Sequence, residues 1–389
     1  MWVQQRLTSE PLTWGYLPLC RNLRKTGFVN WGVEPRVYIG ACMNIQHLLA
    51  QSVAQRASDL HLSAGLTPII RVDGDLQKLS DHTLSDADIR EAVYSIMTVH
   101  QREYFERELE CDFSIDVTGL SRFRVNAFHQ TRGAAVAFRA IPAGIPSLDD
   151  LHAPAVFADF VRRPRGLVLV TGPTGSGKST TLAAMIHSLN QSDSKHILTI
   201  EDPVEFLHTP NTCLINQREV GGQTLSFSNA LRAAMREDPN VILVGEMRDL
   251  ETVRLAITAA ETGHLVLGTV HTSGAAKTID RLIDVFPAEE KEMVRSMLSE
   301  SLEAVISQVL CKRKDSKGRV AAFEIMVGTS GVRNLIREGK VAQMYSAIQT
   351  GSAAGMQTLD QSLAQLVKQG VIDMSEARAK AKFAENFMR

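Results

Sequence analysis

The spacing of apolar residues divides the chain into two parts with different predicted structures. Between about residues 57 and 142, short segments alternate apolar and polar positions, as strands with one buried face do. After residue 142, uninterrupted apolar runs alternate with stretches of helical spacing, which is typical of buried parallel strands covered by helices. We therefore predict an α/β protein in which a small α+β part precedes a larger part built on a parallel sheet.

The first part is predicted to hold an antiparallel sheet with helices packed against it. Apolar residues at helical spacing follow Asn44, a possible N-terminal cap, and residues 86–109 are predicted as one helix. Asp73-Gly74 is a turn signal inside an apolar segment and predicts a hairpin. The predicted strands are 59–63, the hairpin 68–76, 112–117, 121–127, and a last strand that follows Arg132-Gly133 and ends at 138–141.

The second part is predicted to follow a linker at 142–150, which begins with a Pro- and Gly-rich segment. Its predicted strands are 167–171, 196–200, 241–244 and 265–270. Residues 287–310 are predicted as a late helix with a core-facing stripe of Val294, Met297, Leu298, Leu302, Val305, Ile306 and Val309. The basic stretch 312–319 is predicted as a solvated hairpin turn before a strand at 320–327, with phospholipid contact as the alternative. The predicted domains are thus 43–141 and 151–389.

Residues 1–42 differ from the rest of the chain. They contain all the tryptophans (Trp2, Trp14 and Trp31) and show no sustained helical or strand period. We expect the native chain to begin at Met43 and the preceding segment to be an upstream extension. A functional N-terminal arm is the alternative.

Composition narrows the classes of partner and compartment. The formal net charge of −1 over 389 residues gives no electrostatic reason to expect nucleic acid as a partner. The sequence shows no signal peptide and no apolar stretch near the roughly 18 residues of a membrane-spanning helix. The five cysteines are scattered without a Cys-x-x-Cys pair, which favours a reducing cytoplasm over a zinc ribbon or a disulfide framework.

A phosphate-binding loop stands between a predicted buried strand and a predicted helix. Its glycines allow backbone N–H groups to turn toward a phosphate, and the helix that follows directs its N-terminal dipole at the same anion. Lys178 can reach the β- and γ-phosphates, and the Ser179 hydroxyl suits Mg²⁺. We therefore predict ATP and Mg²⁺ as ligands. The predicted binding residues are Gly172, Pro173, Thr174, Gly175, Ser176, Gly177, Lys178, Ser179 and Thr180.

Hydrolysis needs a group that positions the attacking water, and Glu246 is our candidate. It follows the strand 241–244, which places a carboxylate at the edge of the sheet where ligands of open α/β sheets bind. Gly245 stands where such strands usually carry an aspartate for Mg²⁺, so we expect the metal to depend on Ser179, phosphates and water. The alternative is that Glu246 is an acidic residue in the first turn of a helix.

Further polar residues follow or flank other predicted strands. Glu201, Asp202 and Glu205 come after the strand 196–200, where two carboxylates could hold the water shell of Mg²⁺. A solvated turn at Asp202-Pro203 is the alternative. His264 and His271 flank the strand 265–270, where each could contact phosphate or link Glu246 to the next element, or could be purely structural.

Together these motifs resemble those of the secretion and pilus superfamily of ATPases. The shared motifs are the phosphate loop 172–179, the "Asp box" 199–205, the segment 245–249 and the "His box" 263–273. Segments 57–63, 123–128 and 356–360 resemble the PilT group, the type IV pilus retraction motors. Residues 331–338 resemble the group's retraction motif, although Gly331 and Val332 depart from it. The resemblance covers Met43 to the C-terminus.

The resemblance implies a fold, an assembly and roles for particular residues. It implies a PAS-like N-terminal domain, a RecA-like ATPase domain and a homohexamer that retracts pili from the inner face of the cytoplasmic membrane. A pilus platform protein of the inner membrane and a second retraction ATPase are the implied partners. The family's catalytic positions fall on Glu205, Glu246 and His271, and the arginines that act on a neighbour's nucleotide fall on Arg124 and Arg139.

Other functions remain open at this point. An assembly or secretion motor is the nearest alternative, although such relatives usually carry a longer N-terminal domain and a four-cysteine zinc insertion. A regulatory module that binds ATP without hydrolysing it is a second alternative. A small-molecule kinase is a third, but nothing in the sequence resembles a lid over an acceptor substrate.

Overall fold

The computed structural model describes residues 44–72, 74–141, 144–314 and 318–388. Several predictions made from the sequence lie outside these ranges. They concern the extension 1–42, Asp73 in the hairpin turn, residues 142 and 143 of the linker, and residues 315–317 of the basic stretch.

The first part contains a six-stranded antiparallel sheet, as its alternating pattern predicts. The spatial order of the strands is β3-β2-β1-β6-β5-β4. Leu60, Phe123, Val125 and Phe138 point to one face of this sheet and are buried in its core. The strands are β1 (Asp59–Ser63), β2 (Ile69–Val72), β3 (Asp75–Lys78), β4 (Glu110–Val117), β5 (Ser121–Gln130) and β6 (Gly133–Ile141).

Three helices accompany this sheet: α1 (Ile45–Ala54), α2 (Asp86–Ile96) and α3 (Val99–Glu108). Asn44 caps α1 by accepting a hydrogen bond from the backbone N–H of His47, as predicted. The prediction of one helix over 86–109 is wrong. Met97 is extended, and Thr98 starts a new helix through a capping box with Gln101, which satisfies the free N–H groups of α3.

The second part contains a seven-stranded sheet in the order β13-β12-β7-β11-β10-β8-β9. Its pairs are parallel except for the antiparallel pair of β12 and β13. The four predicted buried strands are confirmed, and together the two sheets give the predicted α/β fold. The strands are β7 (Gly166–Thr171), β8 (His196–Glu201), β9 (Leu214–Glu219), β10 (Val241–Val244), β11 (Leu265–Val270), β12 (Leu302–Lys312) and β13 (Arg319–Val327).

Helices cover both faces of this sheet, and the apolar side chains between the layers form its cores. Those before β12 are α4 (Val156–Val161), α5 (Lys178–Ser192), α6 (Phe227–Ala234), α7 (Leu250–Glu261), α8 (Ala275–Asp284) and α9 (Lys291–Ser301). Those after β13 are α10 (Ser330–Arg337), α11 (Val341–Thr350), α12 (Leu359–Lys368) and α13 (Met374–Lys380).

The predicted late helix at 287–310 is also wrong, because only its first half is helical. The chain leaves α9 after Ser301 and continues directly as β12, so that Val305, Ile306 and Val309 lie on a strand. This strand is paired on both sides, by β7 and β13, and it buries residues on both faces. A continuous apolar run of this kind has no period that distinguishes a buried strand from a helix. The prediction that this stripe belongs to the core is correct for Val294, Leu298, Leu302, Val305 and Ile306, which are buried.

Strand β9 was not predicted. It lies at the edge of the sheet, beside β8, and four of its six residues are polar or charged. Because β7, β8, β10 and β11 run parallel, their carboxyl ends and the loops that follow them lie along one edge of the sheet. These loops carry Glu205, Glu246 and His271, whereas the candidate arginines Arg124 and Arg139 lie on the first sheet.

Candidate nucleotide site

The phosphate loop connects β7 to α5 in the conformation that its glycines permit. Gly172, Gly175 and Gly177 have φ angles of 146°, 76° and 88°, which side-chain-bearing residues rarely adopt. At Gly172 a Cβ atom would also lie 2.4 Å from the carbonyl oxygen of Gln308. Helix α5 begins at Lys178, so its first N–H groups point into the loop.

Lys178 is buried, and among the described residues no carboxylate lies within hydrogen-bond distance of its Nζ atom. Its Nζ donates to the carbonyl oxygens of Gly172 at 3.0 Å and Pro173 at 3.2 Å. Burial lowers the pKa of Lys178, and the nearby carboxylates of Glu246 and Glu205 oppose this shift. The loop's Ser176 hydroxyl and the Thr171 hydroxyl are also buried without a hydrogen-bond partner. Spare donors around a buried ammonium group suit the phosphates of a nucleotide.

Gln308 fastens the phosphate loop, a role the sequence did not reveal. This buried residue of β12 donates from Nε2 to the carbonyl oxygen of Ser176 at 2.6 Å. Its Oε1 accepts from the Thr181 hydroxyl in the first turn of α5 at 2.9 Å. Both amide atoms are therefore used to hold the loop against the helix that it feeds. Because the segment was predicted as a helix, no signal placed Gln308 beside the loop.

Glu246 lies at the carboxyl end of β10, as predicted, and its carboxylate is flanked by two cationic or polar side chains. Its Oε1 lies 3.3 Å from Nε2 of His271 and also accepts from Nε of Arg248. Asp249, not Glu246, caps the next helix, with its carboxylate accepting from the N–H of Thr252 at 2.8 Å. The alternative that Glu246 belongs to the first turn of that helix is therefore wrong.

Gly245 packs closely against the end of strand β8. A Cβ atom at this position would lie 3.1 Å from both the Cα atom of Glu201 and the carbonyl oxygen of Ile200. An aspartate could not occupy this position without displacing the end of β8. The close packing gives a physical reason for the missing aspartate noted in the sequence.

The acidic residues after β8 occupy different environments. Glu201 accepts hydrogen bonds from the Thr199 hydroxyl at 2.7 Å and from Gln217 at 3.4 Å. Burial raises the pKa of Glu201 from 4.5 to about 7. Burial also raises the pKa of Asp202, an effect that the charges of Arg124 and Arg248 oppose. The charge of Glu205 tends to raise the pKa values of both Glu201 and Lys178.

His271 and His264 lie at opposite ends of β11. His271 follows the carboxyl end of the strand and reaches Glu246, as predicted. His264 precedes the amino end, where its backbone oxygen accepts from Gly166 N and its Nδ1 contacts the Ala259 carbonyl. Six strand residues separate the two, a span of roughly 20 Å. The prediction that His264 contacts phosphate is thus wrong for a nucleotide bound to the phosphate loop of the same chain.

Arg124 and Arg139 are brought together by the first sheet. They are direct partners on β5 and β6, and so their side chains lie on the same face. Arg139 pairs with Asp59 at 2.9 Å and Arg124 lies 4.0 Å from Asp112, yet both guanidinium groups remain partly exposed. Within one chain they are held by these carboxylates.

Among the described residues, protein side chains alone form no complete ligand set for a metal. In the part of the chain that the structure describes, no three His, Cys, Asp or Glu side chains gather closely enough to hold a metal ion. The Ser179 hydroxyl, at the second position of α5, is an oxygen ligand of the kind that Mg²⁺ prefers, and its role as a ligand stays a prediction. The same ranges contain no helix long and apolar enough to cross a membrane.

Comparison with known proteins agrees with this geometry. The family model described as "Type II/IV secretion system protein" matches residues 41–379. This chain belongs to that family. The type IV pilus retraction ATPase PilT of Pseudomonas aeruginosa is 63% identical over 345 residues, covering 89% of this chain and 100% of the relative. A twitching motility protein of Neisseria gonorrhoeae is 57% identical, covering 88% and 92% of the two chains.

A solved structure of the same family has the same fold. The crystal structure of the pilus retraction motor PilT with bound ADP superposes with a TM-score of 0.82 at 45% identity, covering 88% of this chain and 98% of that chain. The resemblance inferred from the sequence motifs is therefore confirmed. The assignment of the loop at 172–179 as the nucleotide-binding element stays a prediction from its sequence and conformation.

Proposed function

We propose that this protein is an ATP-hydrolysing motor whose work retracts type IV pili. The observation that supports it best is the meeting of Lys178, Glu246 and His271 at one edge of the sheet, with Glu205 nearby. A carboxylate that lies near the loop lysine and contacts His271 is suited to position the attacking water. The similarity to retraction ATPases over nearly the whole chain supports the same function.

In this proposal some residues bind the phosphates of ATP and others position the attacking water. The loop N–H groups and Lys178 bind the phosphates of ATP, and Glu246 orients a water molecule toward the γ-phosphorus. The water oxygen bonds to phosphorus as the bond to the bridging oxygen breaks, giving ADP and phosphate. His271 holds the Glu246 carboxylate in place through the 3.3 Å contact. Mg²⁺, held by Ser179 and phosphate oxygens, would supply charge that offsets the negative phosphoryl group.

The two sheets support a division into a PAS-like domain at 43–141 and a RecA-like domain at 151–389. Six copies of the chain assemble as a ring-shaped hexamer. In this assembly Arg124 and Arg139 contact the nucleotide of a neighbouring subunit. Guanidinium groups suit the spread charge of a phosphoryl transition state, and both arginines stay partly exposed on the first sheet.

Mixing two inactive variants tests the role of the arginines in a neighbouring site. Lys178→Ala subunits keep their arginines but lose the loop lysine, whereas Arg139→Ala subunits keep the loop. Each variant should be nearly inactive alone. Lys178→Ala lacks the lysine that binds the phosphates, and Arg139→Ala lacks an arginine that, supplied by a neighbour, can contribute about 10³-fold to turnover. Mixed hexamers should recover part of the activity at interfaces that pair an intact loop with an intact arginine. Demonstrated mixed hexamers without recovery would show that Arg139 serves only its own subunit.

Retraction is distinguished from assembly by the phenotype of cells that lack the gene. The retraction motor would act at the inner face of the cytoplasmic membrane, on a platform protein, with or without a second retraction ATPase. Deletion should leave many pili and abolish surface motility, and the wild-type gene, but not Lys178→Ala, should restore movement. Loss of pili on deletion would show an assembly motor instead.

A further inference from the structure

The loop that carries Glu205 is fastened to β9 on both sides of that residue. Before Glu205, the backbone N–H of Val204 donates to Oε2 of Glu219 at 3.1 Å. After it, Gln217 donates from Nε2 to the Phe206 carbonyl oxygen at 2.8 Å and accepts from the N–H of His208 at 2.8 Å. Both holding side chains come from one face of β9. The position of Glu205 therefore depends on this edge strand.

The same oxygen of Glu219 is also bound by the first sheet. It accepts from the Ser114 hydroxyl of β4 at 3.0 Å and from Nη2 of Arg122 of β5 at 3.2 Å. The Glu219 and Arg122 side chains are only 17% and 19% exposed, so solvent screens their interaction weakly. One carboxylate oxygen thus connects the first sheet to the Glu205 loop.

Ser114 is the end of a polar row that crosses the first sheet. The direct partners across five strands are Arg71, Asp59, Arg139, Arg124 and Ser114, all on one face. Arg124 and Arg139, the arginines proposed to contact a neighbour's nucleotide, are members of this row. The Ser114 hydroxyl connects this row to Glu219, because it donates to Oε2 of Glu219.

The Glu205 loop has room to respond to a displacement of this row. A cleft of about 690 Å³ separates the β4–β5 turn from the loop, and Arg122, Glu205 and His208 line it. The hydrogen bonds from β9 therefore help to set the position of Glu205, together with the buried side chains of Val204 and Phe206.

We propose that Glu219 is a positioning residue that couples the arginine row of the first sheet to the Glu205 loop of the same subunit. Contact between the row and a neighbour's nucleotide would in this way adjust the subunit's own hydrolytic site. The coupling rests on the proposed ATPase function, but the Glu219 contacts themselves do not depend on turnover.

The test compares the full-length variants Glu219→Ala, Arg122→Gln and Ser114→Ala with Glu237→Gln. Glu237 is the matched control, because it pairs with Arg218 of β9 at 3.0 Å without contacting the Glu205 loop. Turnover number, affinity for ADP, and amide hydrogen exchange of the segment 203–208 are measured for each. Wild-type turnover and its loss in Lys178→Ala report separately on the proposed function.

Glu219→Ala should lower kcat about tenfold, because a misplaced catalytic group costs rate. Its ADP affinity should stay within about twofold of wild type, since the Lys178 loop is untouched. Exchange of the 203–208 amides should rise in Glu219→Ala, and to a smaller extent in Arg122→Gln and Ser114→Ala. Ser114→Ala, which removes a single hydroxyl, keeps the test decisive if Glu219→Ala is too unstable to study.

Two results would overturn the proposal. One is that exchange and kcat in all three variants match those of Glu237→Gln. The other is that kcat and ADP affinity fall together in all three, which would indicate a general loss of structure. If wild type shows normal turnover in either case, the proposed function survives and only the coupling fails.

Discussion

Glu246 and Glu205, the two carboxylates proposed to be catalytic, are held in different ways. The backbone on each side of Glu246 bonds directly to neighbouring strands, from Gly245 N to Ile200 O at 2.7 Å and from Met247 N to Thr269 O at 3.0 Å. The backbone on each side of Glu205 is held instead by the side chains of Glu219 and Gln217. A backbone-held group is insensitive to most single substitutions nearby, whereas a side-chain-held group can be moved by one. We infer that Glu246 is the fixed part of the site and Glu205 the adjustable part.

The largest effect should come from Glu246→Gln. This change keeps the shape of the side chain but removes the charge that orients water, and kcat should fall about 10²- to 10³-fold. Nucleotide affinity should change little, because Lys178 and the loop are intact. Phosphate release and nucleotide binding measured on the same preparation check this, with Glu237→Gln as the control. A variant with near-normal kcat would show that Glu246 does not position the water.

A paired substitution sharpens the contrast between the two carboxylates. Gln217→Leu removes two hydrogen bonds from the Glu205 loop, and kcat should fall about tenfold. Thr269→Val removes the bond from the Thr269 hydroxyl to the Gly245 carbonyl oxygen but leaves the backbone bonds around Glu246. Its kcat should stay within about twofold of wild type. Equal losses in the two variants would contradict the distinction between backbone-held and side-chain-held groups.

Gln308→Leu tests a third part of the site, the phosphate loop. It leaves the Ser176 carbonyl oxygen and the Thr181 hydroxyl without partners in a buried position, which costs about 1–3 kcal/mol. Nucleotide affinity should fall about fivefold, with a smaller change in kcat at saturating ATP. Ser307→Ala, in the adjacent position of β12, removes a bond to Gly274 N and serves as the control. Unchanged affinity in Gln308→Leu would show that the loop needs no support from β12.

The smallest effect should appear in the pH dependence of stability. Because the folded protein raises the pKa of Glu201 from 4.5 to about 7, it favours the protonated carboxyl group. The resulting contribution to the free energy of unfolding is fully present below about pH 4.5 and is lost as the pH rises through 7. The melting temperature of Glu201→Gln should therefore rise relative to wild type between pH 5 and pH 8, measured without nucleotide or metal. A difference that does not change with pH would show that Glu201 ionises normally.

The sequence predicted those features that depend on local pattern. Buried parallel strands, the phosphate loop and the carboxylate after β10 all follow from apolar runs and from the residues at their ends. Strand β12 was predicted as a helix because it is apolar on both faces. Strand β9 was missed because it is a mainly polar strand at the edge of the sheet. Both errors reflect the loss of the two-residue period that identifies a strand.

The polar residues that support the site could not be predicted, because their partners are distant in sequence. Gln308 and Ser176 are 132 positions apart, and Arg122 and Glu219 are 97 apart. The order of strands in the sheet decides which strand lies beside the phosphate loop. It also decides which side of β9 contacts the first sheet. His264 is close to His271 in sequence but not in space. The two residues flank the same strand at opposite ends, and only the carboxyl end lies at the edge of the sheet that carries the phosphate loop.

The most direct test of the central claim is steady-state phosphate release by the full-length protein at saturating ATP and Mg²⁺, compared with Lys178→Ala. Nucleotide binding is measured in parallel. Wild type should bind ATP and release phosphate continuously, whereas Lys178→Ala should lose binding and release together. A wild-type protein that binds ATP tightly but releases no phosphate above the level of Lys178→Ala would contradict the assignment as a motor and indicate a nucleotide-gated regulatory module.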